Sequence, residues 1–258
     1  MTHVDRTALV DSDARLGQDV EVGPYAVIEK DVEIGDGCRI AAHAVIKRYT
    51  CMGQRNRIHE HAVLGGEPQD FKFRPCTSHV DIGDDNIIRE GVTLHRASKE
   101  GQSTTLGNDN FLMAYCHVAH DCTIGNRVII ANNALLSGHV TVYDRAFISG
   151  SVVIHQFCRV GTLAMLSGSA QMRQDGLPFV ISDGVPGRAR GVNVVGLERA
   201  GISQQHIREI RRAYRLLLMS GTPLKDALAR LSESPLPEVK ELIGFIQDST
   251  RGFAHHRA

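Results

Sequence analysis

An aliphatic residue or methionine recurs at every sixth position through most of the first 172 residues of this 258-residue chain. One run starts at Val4, a second at Ile82, and a third continues from Leu106 to Met172. An amphipathic helix repeats about every 3.6 residues and a half-buried strand about every 2. Neither period gives an apolar residue at every sixth position, so the chain is built from short repeated units.

A small residue stands two positions before many of these aliphatic residues, at Ala14, Ala26, Cys38, Ala44, Ala62, Cys116, Cys122, Ala134, Ala146 and Cys158. Four of the six cysteines fall in this slot, and we interpret them as small inward-facing fillers. A glycine often follows the aliphatic residue, as in Val22-Gly23, Ile34-Gly35, Ile82-Gly83, Ile124-Gly125 and Val160-Gly161. These glycines, with Asp36, Asn108 and Asn126, are expected to take the unusual φ/ψ values of turns.

This hexapeptide pattern resembles the left-handed parallel β-helix family, in which each hexad forms one side of a triangular coil. The resemblance implies an all-β left-handed parallel β-helix, a hexapeptide-repeat solenoid of about nine coils, over residues 1–183. A narrow interior also fits the aromatic content of 5% and the absence of tryptophan. Two breaks in the period, at about residues 65–80 and 96–105, predict loops that leave the solenoid.

After the repeat we expect a connecting segment at residues 184–202 and a small C-terminal α-helical domain at 203–258. Ser203 is the predicted N-cap of a helix that stops at Gly221, Thr222-Pro223 starts a second, and Glu238 starts a third that ends near Ser249. A basic face on these helices is either a solvated surface or a docking site for an acidic partner; it comprises Arg208, Arg211, Arg212, Arg215, Lys225 and Arg230.

Charge and cysteine usage exclude several classes of protein. Lysine plus arginine, at 29, equals aspartate plus glutamate, so no bulk basic field favours nucleic acid. We expect neither a secretory signal nor a membrane span, because no basic segment precedes an apolar run and no stretch approaches about 18 apolar residues. No C-x-x-C pair occurs, which favours reduced thiols and a cytoplasmic protein over zinc or redox sites.

Residues 18 apart should stack on one face of the solenoid, since three hexads make one coil. That spacing aligns His120 with Gly138 and Gln156, and Asp121 with His139. An imidazole can take a proton from a hydroxyl nucleophile, and a glycine N–H is open to a developing oxyanion. This column is a candidate acyl-transfer site in which Asp121 orients His120; a surface or inter-subunit hydrogen bond is the simpler interpretation of the same histidine.

The segments 117–126 (HVAHDCTIGN), 131–134 (ANNA), 138–140 (GHV) and 153–157 (VIHQF) resemble the catalytic region of the UDP-N-acetylglucosamine O-acyltransferases that begin lipid A synthesis. The similarity extends over both loops, Gly191-Val192-Asn193 and the tail up to Gly252. It implies transfer of an (R)-3-hydroxyacyl chain from acyl carrier protein to the 3-position of UDP-N-acetylglucosamine. It also implies a homotrimer with active sites between subunits, no cofactor and no catalytic metal.

The resemblance carries residue roles with it. His120 would be the general base, Asp121 would orient it, and Gly138 would give the oxyanion N–H. The implied substrate-binding residues are Gln69, Asp70, Lys72, His95, His117, His139, Gln156, Asn193 and Arg199, the last two toward the nucleotide. Met165 and Gly168 would measure the acyl chain, and the missing side chain at Gly168 predicts a longer chain.

Two departures from the family pattern leave alternatives open. Val195 stands where the family often has an acidic residue, and Ala200 where it has the second member of a basic pair. A 3-amino UDP-sugar is therefore an alternative acceptor. Other readings are the N-acyltransferase of the same pathway, which normally has an extra uridine-binding domain, a non-catalytic scaffold, and a γ-type carbonic anhydrase, which needs three histidines around a metal.

Overall fold

The computed structural model describes residues 1–255, so the last three residues of the predicted helical domain lie outside the described part. Most of the chain is a left-handed parallel β-helix, as the repeat predicts. In chain order its strands are β1 (His3–Val4), β2 (Leu9–Val10), β3 (Arg15–Leu16), β4 (Glu21–Val22), β5 (Val27–Ile28), β6 (Glu33–Ile34), β7 (Arg39–Ile40), β8 (Val45–Ile46), β9 (Thr50–Met52), β10 (Arg57–Ile58), β11 (Val63–Gly66), β12 (His79–Ile82), β13 (Ile87–Ile88), β14 (Thr93–His95), β15 (Ser103–Leu106), β16 (Phe111–Leu112), β17 (His117–Val118), β18 (Thr123–Ile124), β19 (Ile129–Ile130), β20 (Leu135–Leu136), β21 (Thr141–Val142), β22 (Phe147–Ile148), β23 (Val153–Ile154), β24 (Arg159–Val160), β25 (Met165–Leu166), β26 (Gln171–Met172), β27 (Val180–Asp183) and β28 (Arg188–Val192).

Three sheets form the sides of the triangular coil, and strands up to β26 enter sheets A, B and C in turn. Sheet A has 11 strands and starts with β1, sheet B has 9 and starts with β2, and sheet C has 8 and starts with β3. Neighbouring strands pair in parallel 18 residues apart, as Leu135 does with Val153. The offset grows to 30 residues between Val63 and Thr93 and to 24 between Thr93 and His117, because each of those coils carries a loop.

Single files of aliphatic side chains fill the interior. On the inner side of sheet B, Ile46, Leu64, Leu94, Val118 and Leu136 are all 0% exposed. Full burial of such a side chain stabilises the fold by about 1.5–3 kcal/mol. The predicted role of the four cysteines in the small-residue slot is confirmed, because each is a fully buried free thiol: Cys38, Cys116, Cys122 and Cys158.

The expectation for the repeated glycines was wrong. Gly23, Gly35, Gly83, Gly125 and Gly161 do not have positive φ. A Cβ on Gly35 would lie 2.6 Å from the carbonyl of Gly53 in the next coil. These glycines therefore allow coils to approach each other closely.

The polar residues after them were also misassigned as residues of unusual φ/ψ. Asp36 Oδ1 accepts the Gln18 N–H at 2.7 Å, and Asn126 Oδ1 accepts the Asn108 N–H at 2.8 Å. Asn108 Oδ1 does the same for the Asp84 N–H at 2.7 Å. These side chains replace backbone hydrogen bonds between coils at the corners, where the strands have ended.

The left-handed conformation falls instead three residues before most inward aliphatic residues. Asp121, His139 and Phe157 occupy this position at one corner of successive coils, with φ of 60°, 61° and 65°. A non-glycine residue pays about 1–2 kcal/mol to adopt this conformation. Stacking of each corner on the equivalent corners of the neighbouring coils stabilises this conformation. The three side chains lie in one column.

The outer faces of the solenoid differ in chemistry. Sheet C presents polar side chains, among them Thr105, Thr123 and Thr141. From β16 to β25 sheet A presents apolar side chains, Phe111, Ile129, Phe147 and Met165, and sheet B presents Val45, Val63, Leu135 and Val153. Leu135 is 43% exposed and Val153 36%. Two adjacent faces of the solenoid thus carry apolar surface that this chain alone leaves uncovered.

The C-terminal part contains α1 (Val194–Arg199), α2 (Gln204–Leu218), α3 (Leu224–Leu231) and α4 (Pro237–Gln247). The predicted N-cap is confirmed, since the Ser203 side chain accepts the His206 N–H. Residues 184–202, expected only to connect, contain the antiparallel strand β28 and helix α1. None of the helices within residues 1–255 is long and apolar enough to cross a membrane.

A buried ion pair joins the last coil to α4. Arg159 lies 2.9 Å from Asp175, which is 1% exposed, and its Nη2 also donates to the Phe245 carbonyl at 2.6 Å. Ser249 Oγ donates to Asp175 at 2.8 Å. The Arg159 guanidinium also lies 4.2 Å from the centre of the Phe245 ring. This cluster fixes the helices against the open end of the solenoid.

We predict that Asp175→Ala destabilises the protein by about 3 kcal/mol, because it leaves the largely buried Arg159 without its carboxylate. Denaturant unfolding and protease sensitivity of the C-terminal helices measure the loss. The control is Asp183→Ala, which removes a half-exposed pair with Arg190 at 3.8 Å and should cost less than about 1 kcal/mol. Equal effects of the two substitutions would show that Asp175 does not fix the C-terminal helices against the solenoid.

Candidate active site

The turn that follows β17, between sheets B and C, holds a histidine–carboxylate pair. His120 Nδ1 lies 2.6 Å from Asp121 Oδ2, and the two side chains are 12% and 11% exposed. A carboxylate on Nδ1 favours the tautomer with the proton on that nitrogen. Nε2 is then left as the basic nitrogen of His120.

Backbone and hydroxyl groups of neighbouring coils hold Asp121. The Ser98 N–H donates to its Oδ1 at 3.1 Å, and its own N–H donates to Thr104 Oγ1 at 2.7 Å. Burial would raise the pKa of Asp121, but hydrogen bonds from Ser98 and His120 outweigh it and the pKa is lowered. The carboxylate is therefore ionised at neutral pH and available to orient His120.

The predicted stacking of Gly138 on His120 is confirmed. A Cβ on Gly138 would lie 2.6 Å from His120 Cε1 and 2.8 Å from Nε2, so no side chain fits there. Within residues 1–255 the Gly138 N–H has no hydrogen-bond partner, although the Gly138 carbonyl accepts the Phe157 N–H. An unengaged backbone donor thus lies beside the basic nitrogen of His120.

Further histidines surround this pair. His139 crosses His120 edge-on with ring centroids 5.4 Å apart, and it stacks on Phe157 at 4.5 Å. Its Nε2 lies 3.5 Å from Asp121 Oδ2. His95 packs against His117 at 4.8 Å, where Thr93 Oγ1 lies 2.7 Å from His117 Nδ1.

These histidines are uncharged at neutral pH. Burial, with help from His117 and His120, lowers the pKa of His95 to about 4. Burial also lowers the pKa of His117 and of His139. Buried His95 Nδ1 has no hydrogen-bond partner among the described residues. The walls of the site are therefore neutral hydrogen-bonding groups around one carboxylate.

Both loops lie against this cluster. Residues 67–78, between β11 and β12, carry Gln69, Asp70 and Lys72, all exposed, and Asp70 is close enough to His139 to influence its pKa. Residues 96–102, between β14 and β15, supply the Ser98 N–H to Asp121. Lys99 also influences the pKa of His139. Gln156 lies exposed one coil beyond Gly138.

Arg96 ties the first loop down, and sequence reasoning missed it. Its side chain is only 4% exposed, and Nη2 donates to Glu67 at 2.9 Å. Its guanidinium lies 5.6 Å from the Phe73 ring and 5.5 Å from the Tyr49 ring. The Arg96 N–H also donates to the Gly66 carbonyl at 2.9 Å, so both backbone and side chain fix the loop.

The other predicted residues lie on the opposite side of the solenoid. Asn193 caps α1 by accepting the Gly196 N–H, and it donates to the Leu163 carbonyl at 2.9 Å. Asn193 and Arg199 line a cleft over sheet A together with Met165. Since the corner between sheets B and C faces away from sheet A, one chain does not bring Asn193 or Arg199 to His120. Gly168 lies exposed in the turn from sheet A to sheet B.

Ligating atoms of His120, Asp121 and His139 lie within 4.8 Å of one another. This group has two histidines and a carboxylate in one chain. A γ-type anhydrase site requires three histidines from neighbouring subunits, so this group of one chain does not form such a site by itself. His120 Nδ1 and His139 Nε2 both face Asp121 Oδ2, which gives the carboxylate a partner on each side.

Comparisons with known proteins agree with this fold. Residues 13–48 and 103–138 match the family model of bacterial transferase hexapeptide repeats, so the solenoid is that of a hexapeptide-repeat transferase. Residues 175–254 match the model described as UDP-N-acetylglucosamine O-acyltransferase, domain 2. The chain therefore carries both the repeat and the C-terminal domain of one family.

Relatives and solved structures cover the whole chain. An acyl-[acyl-carrier-protein]–UDP-N-acetylglucosamine O-acyltransferase of Alkalilimnicola ehrlichii is 51% identical over 98% of this chain and 99% of its own. One of Paraburkholderia phymatum is 48% identical with the same coverage. The crystal structure of a UDP-N-acetylglucosamine acyltransferase from Bacteroides fragilis superposes with a TM-score of 0.95 at 39% identity, covering 98% of this chain and 100% of that one. The chain belongs to the family of acyl-[acyl-carrier-protein]–UDP-N-acetylglucosamine O-acyltransferases.

We predict that Arg96→Lys releases the first loop, because lysine lacks the fork that contacts Glu67 and the planar group that packs on the rings. Trypsin cleavage after Lys72 in the native protein should accelerate about tenfold, and Glu67→Gln should give a smaller acceleration, since the lost contact is a charge-assisted hydrogen bond. Arg48→Lys is the control, because Arg48 also packs on Tyr49 but faces Asp31. Unchanged cleavage in both loop variants would show that Arg96 does not restrain the loop.

Proposed function

We propose that the protein transfers an (R)-3-hydroxyacyl chain from acyl carrier protein to the 3-hydroxyl of UDP-N-acetylglucosamine, the first step of lipid A biosynthesis. The observation that carries the proposal is the His120–Asp121 pair set against the free N–H of Gly138. A general base and an oxyanion donor side by side are what acyl transfer to a hydroxyl requires. Family membership supplies the donor and the acceptor.

The chemistry follows from the positions of these groups. His120 Nε2 takes the proton of the sugar hydroxyl while the hydroxyl oxygen attacks the thioester carbonyl carbon. The Gly138 N–H donates to the oxygen on which negative charge develops, and Asp121 stabilises the imidazolium that forms. When the intermediate collapses, the C–S bond breaks and the carrier thiolate takes the proton from His120. The proposed reaction needs no cofactor.

The remaining predicted residues have positions suited to binding. His95, His117 and His139 offer neutral nitrogens to sugar hydroxyl and carbonyl groups. Gln69, Asp70 and Lys72 extend over the site from the loop that Arg96 holds, and Gln156 continues the column beyond Gly138. An exposed basic face on α2 and α3, with Arg208, Arg211, Arg212, Arg215, Lys225 and Arg230, suits an acidic carrier protein.

A homotrimer completes the site. The apolar outer faces of sheets A and B differ from each other, so sheet A of one copy can pack on sheet B of the next. Such a head-to-tail contact closes into a ring when the rotation fits. It sets the cleft with Asn193 and Arg199 of one copy near the His120 of another. A cytoplasmic location agrees with six free cysteines and a carrier-protein donor.

We predict one acylated product by mass when the protein is incubated with UDP-N-acetylglucosamine and 3-hydroxyacyl carrier-protein donors. His120→Ala should lower turnover by about a hundredfold or more while the trimer persists, because the general base is lost. His3→Ala, a change of an exposed histidine in the first coil, should have no effect. No product from any donor would refute the proposed function. A 3-amino acceptor and metal analysis in parallel test the amino-sugar and anhydrase alternatives.

Gly168 gives a prediction on chain length. A Cβ there would meet only the Gly150 carbonyl at 3.7 Å, so a side chain has room to enter the adjacent space. Gly168→Met should shift the preferred donor to a shorter chain by filling the end of the acyl groove, measured as relative kcat/KM over a donor series. Gly244→Ala, a change at a glycine of α4 where an added Cβ would meet no atom within 4 Å, serves as control. An unchanged preference would show that Gly168 does not help to set the length of the acyl chain.

A further inference from the structure

The cleft over sheet A holds more positive charge than its two predicted residues account for. It has a volume of about 760 Å³, an apolar floor of Ile129, Phe147 and Met165, and α1 along one side. Three guanidinium groups line it, from Arg127, Arg145 and Arg199. Arg127 and Arg145 come from the turns between sheets C and A, and Arg199 from the end of α1.

Two of the three cations have no carboxylate partner within residues 1–255 of one chain. Arg127 Nε lies 3.7 Å from Asp109 Oδ2. Neither Arg145 nor Arg199 forms an ion pair or a side-chain hydrogen bond with any residue in the range 1–255. Arg145 is half-buried against the cleft. Guanidinium groups that share an apolar cleft without carboxylates repel each other, and an anion between them relieves that repulsion.

The same cleft contains both departures from the family pattern. Val195 and Ala200 line it next to Arg199 and Asn193. The resemblance noted above places Ala200 where the family has the second member of a basic pair, so the C-terminal end of α1 brings only one guanidinium to this surface. Arg145 reaches the cleft from the solenoid and restores the second.

We propose that Arg145 binds the diphosphate of the nucleotide sugar together with Arg199 and supplies the charge that Ala200 does not. This inference rests on the proposed function for its ligand. The two guanidinium groups, Arg145 on the solenoid and Arg199 on α1, hold the two phosphates from different elements. Arg127 contributes less, because Asp109 already takes part of its charge.

UDP and uridine test the proposal directly, since they differ only in the diphosphate. Arg145→Gln should weaken UDP binding about tenfold in calorimetry, the loss expected for a charge-assisted contact, and leave uridine binding unchanged. The KM for UDP-N-acetylglucosamine should rise by a similar factor while kcat stays within about twofold. Arg39→Gln is the control, because Arg39 is an exposed arginine of sheet A that pairs with Glu21.

A second variant tests the compensation. Adding Ala200→Arg to Arg145→Gln should recover most of the UDP affinity, because it places a guanidinium at the family position in the same cleft. An unchanged ratio of UDP to uridine affinity in Arg145→Gln overturns the proposal while acyl transfer by the unaltered protein stands. An unaltered protein that binds no UDP overturns this proposal and the proposed function together. If the double variant does not recover UDP affinity, the idea that Arg145 supplies the charge missing at Ala200 is overturned.

Discussion

The parallel register between coils is the constraint on which the rest of this structure depends. Each strand pairs with the strand one coil away, and the inward aliphatic residues then fall into files such as Ile46, Leu64 and Leu94. A slip of one residue would turn those files outward, so burial and backbone pairing enforce the same register. The register also determines which residues meet at the candidate site, because it places Gly138 against His120 and His139 against Asp121.

This dependence explains what the sequence could predict. The buried cysteines and the His120–Gly138 stack follow from the six-residue spacing and the solenoid that its family resemblance implies, because a repeat converts distance along the chain into position in space. The Ser203 cap follows from its residue type ahead of an amphipathic helix. Arg96, Ser98 and Thr104 could not be found that way. They lie where the period breaks, and their contacts with Glu67 and Asp121 depend on how loops fold back.

The glycine and asparagine roles were misjudged for a different reason. Both residue types are common in left-handed turns, and the sequence alone does not separate that use from close packing between coils. Tyrosine, histidine, arginine and phenylalanine take left-handed positions here because most corners repeat the same geometry. In a solenoid, stacking outweighs the local preference of a single residue. Strand β28 and helix α1 were missed because a five-residue strand and a six-residue helix leave little periodicity to detect.

The electrostatics of the site follow from the same stacking. Four imidazoles at ring distances of 4.8–5.4 Å in two contacting pairs would repel each other strongly if protonated. Burial lowers the pKa of His95 to about 4 and lowers those of His117 and His139, so these three rings stay neutral at physiological pH. Asp121 is held ionised by the Ser98 N–H and His120, and it contacts two of the four rings. A single carboxylate among neutral imidazoles can stabilise one added proton, which is the charge that a general base acquires during acyl transfer. The proposed mechanism needs one such proton transfer, and it assigns that transfer to His120, whose Nδ1 lies on Asp121 and whose Nε2 lies beside Gly138.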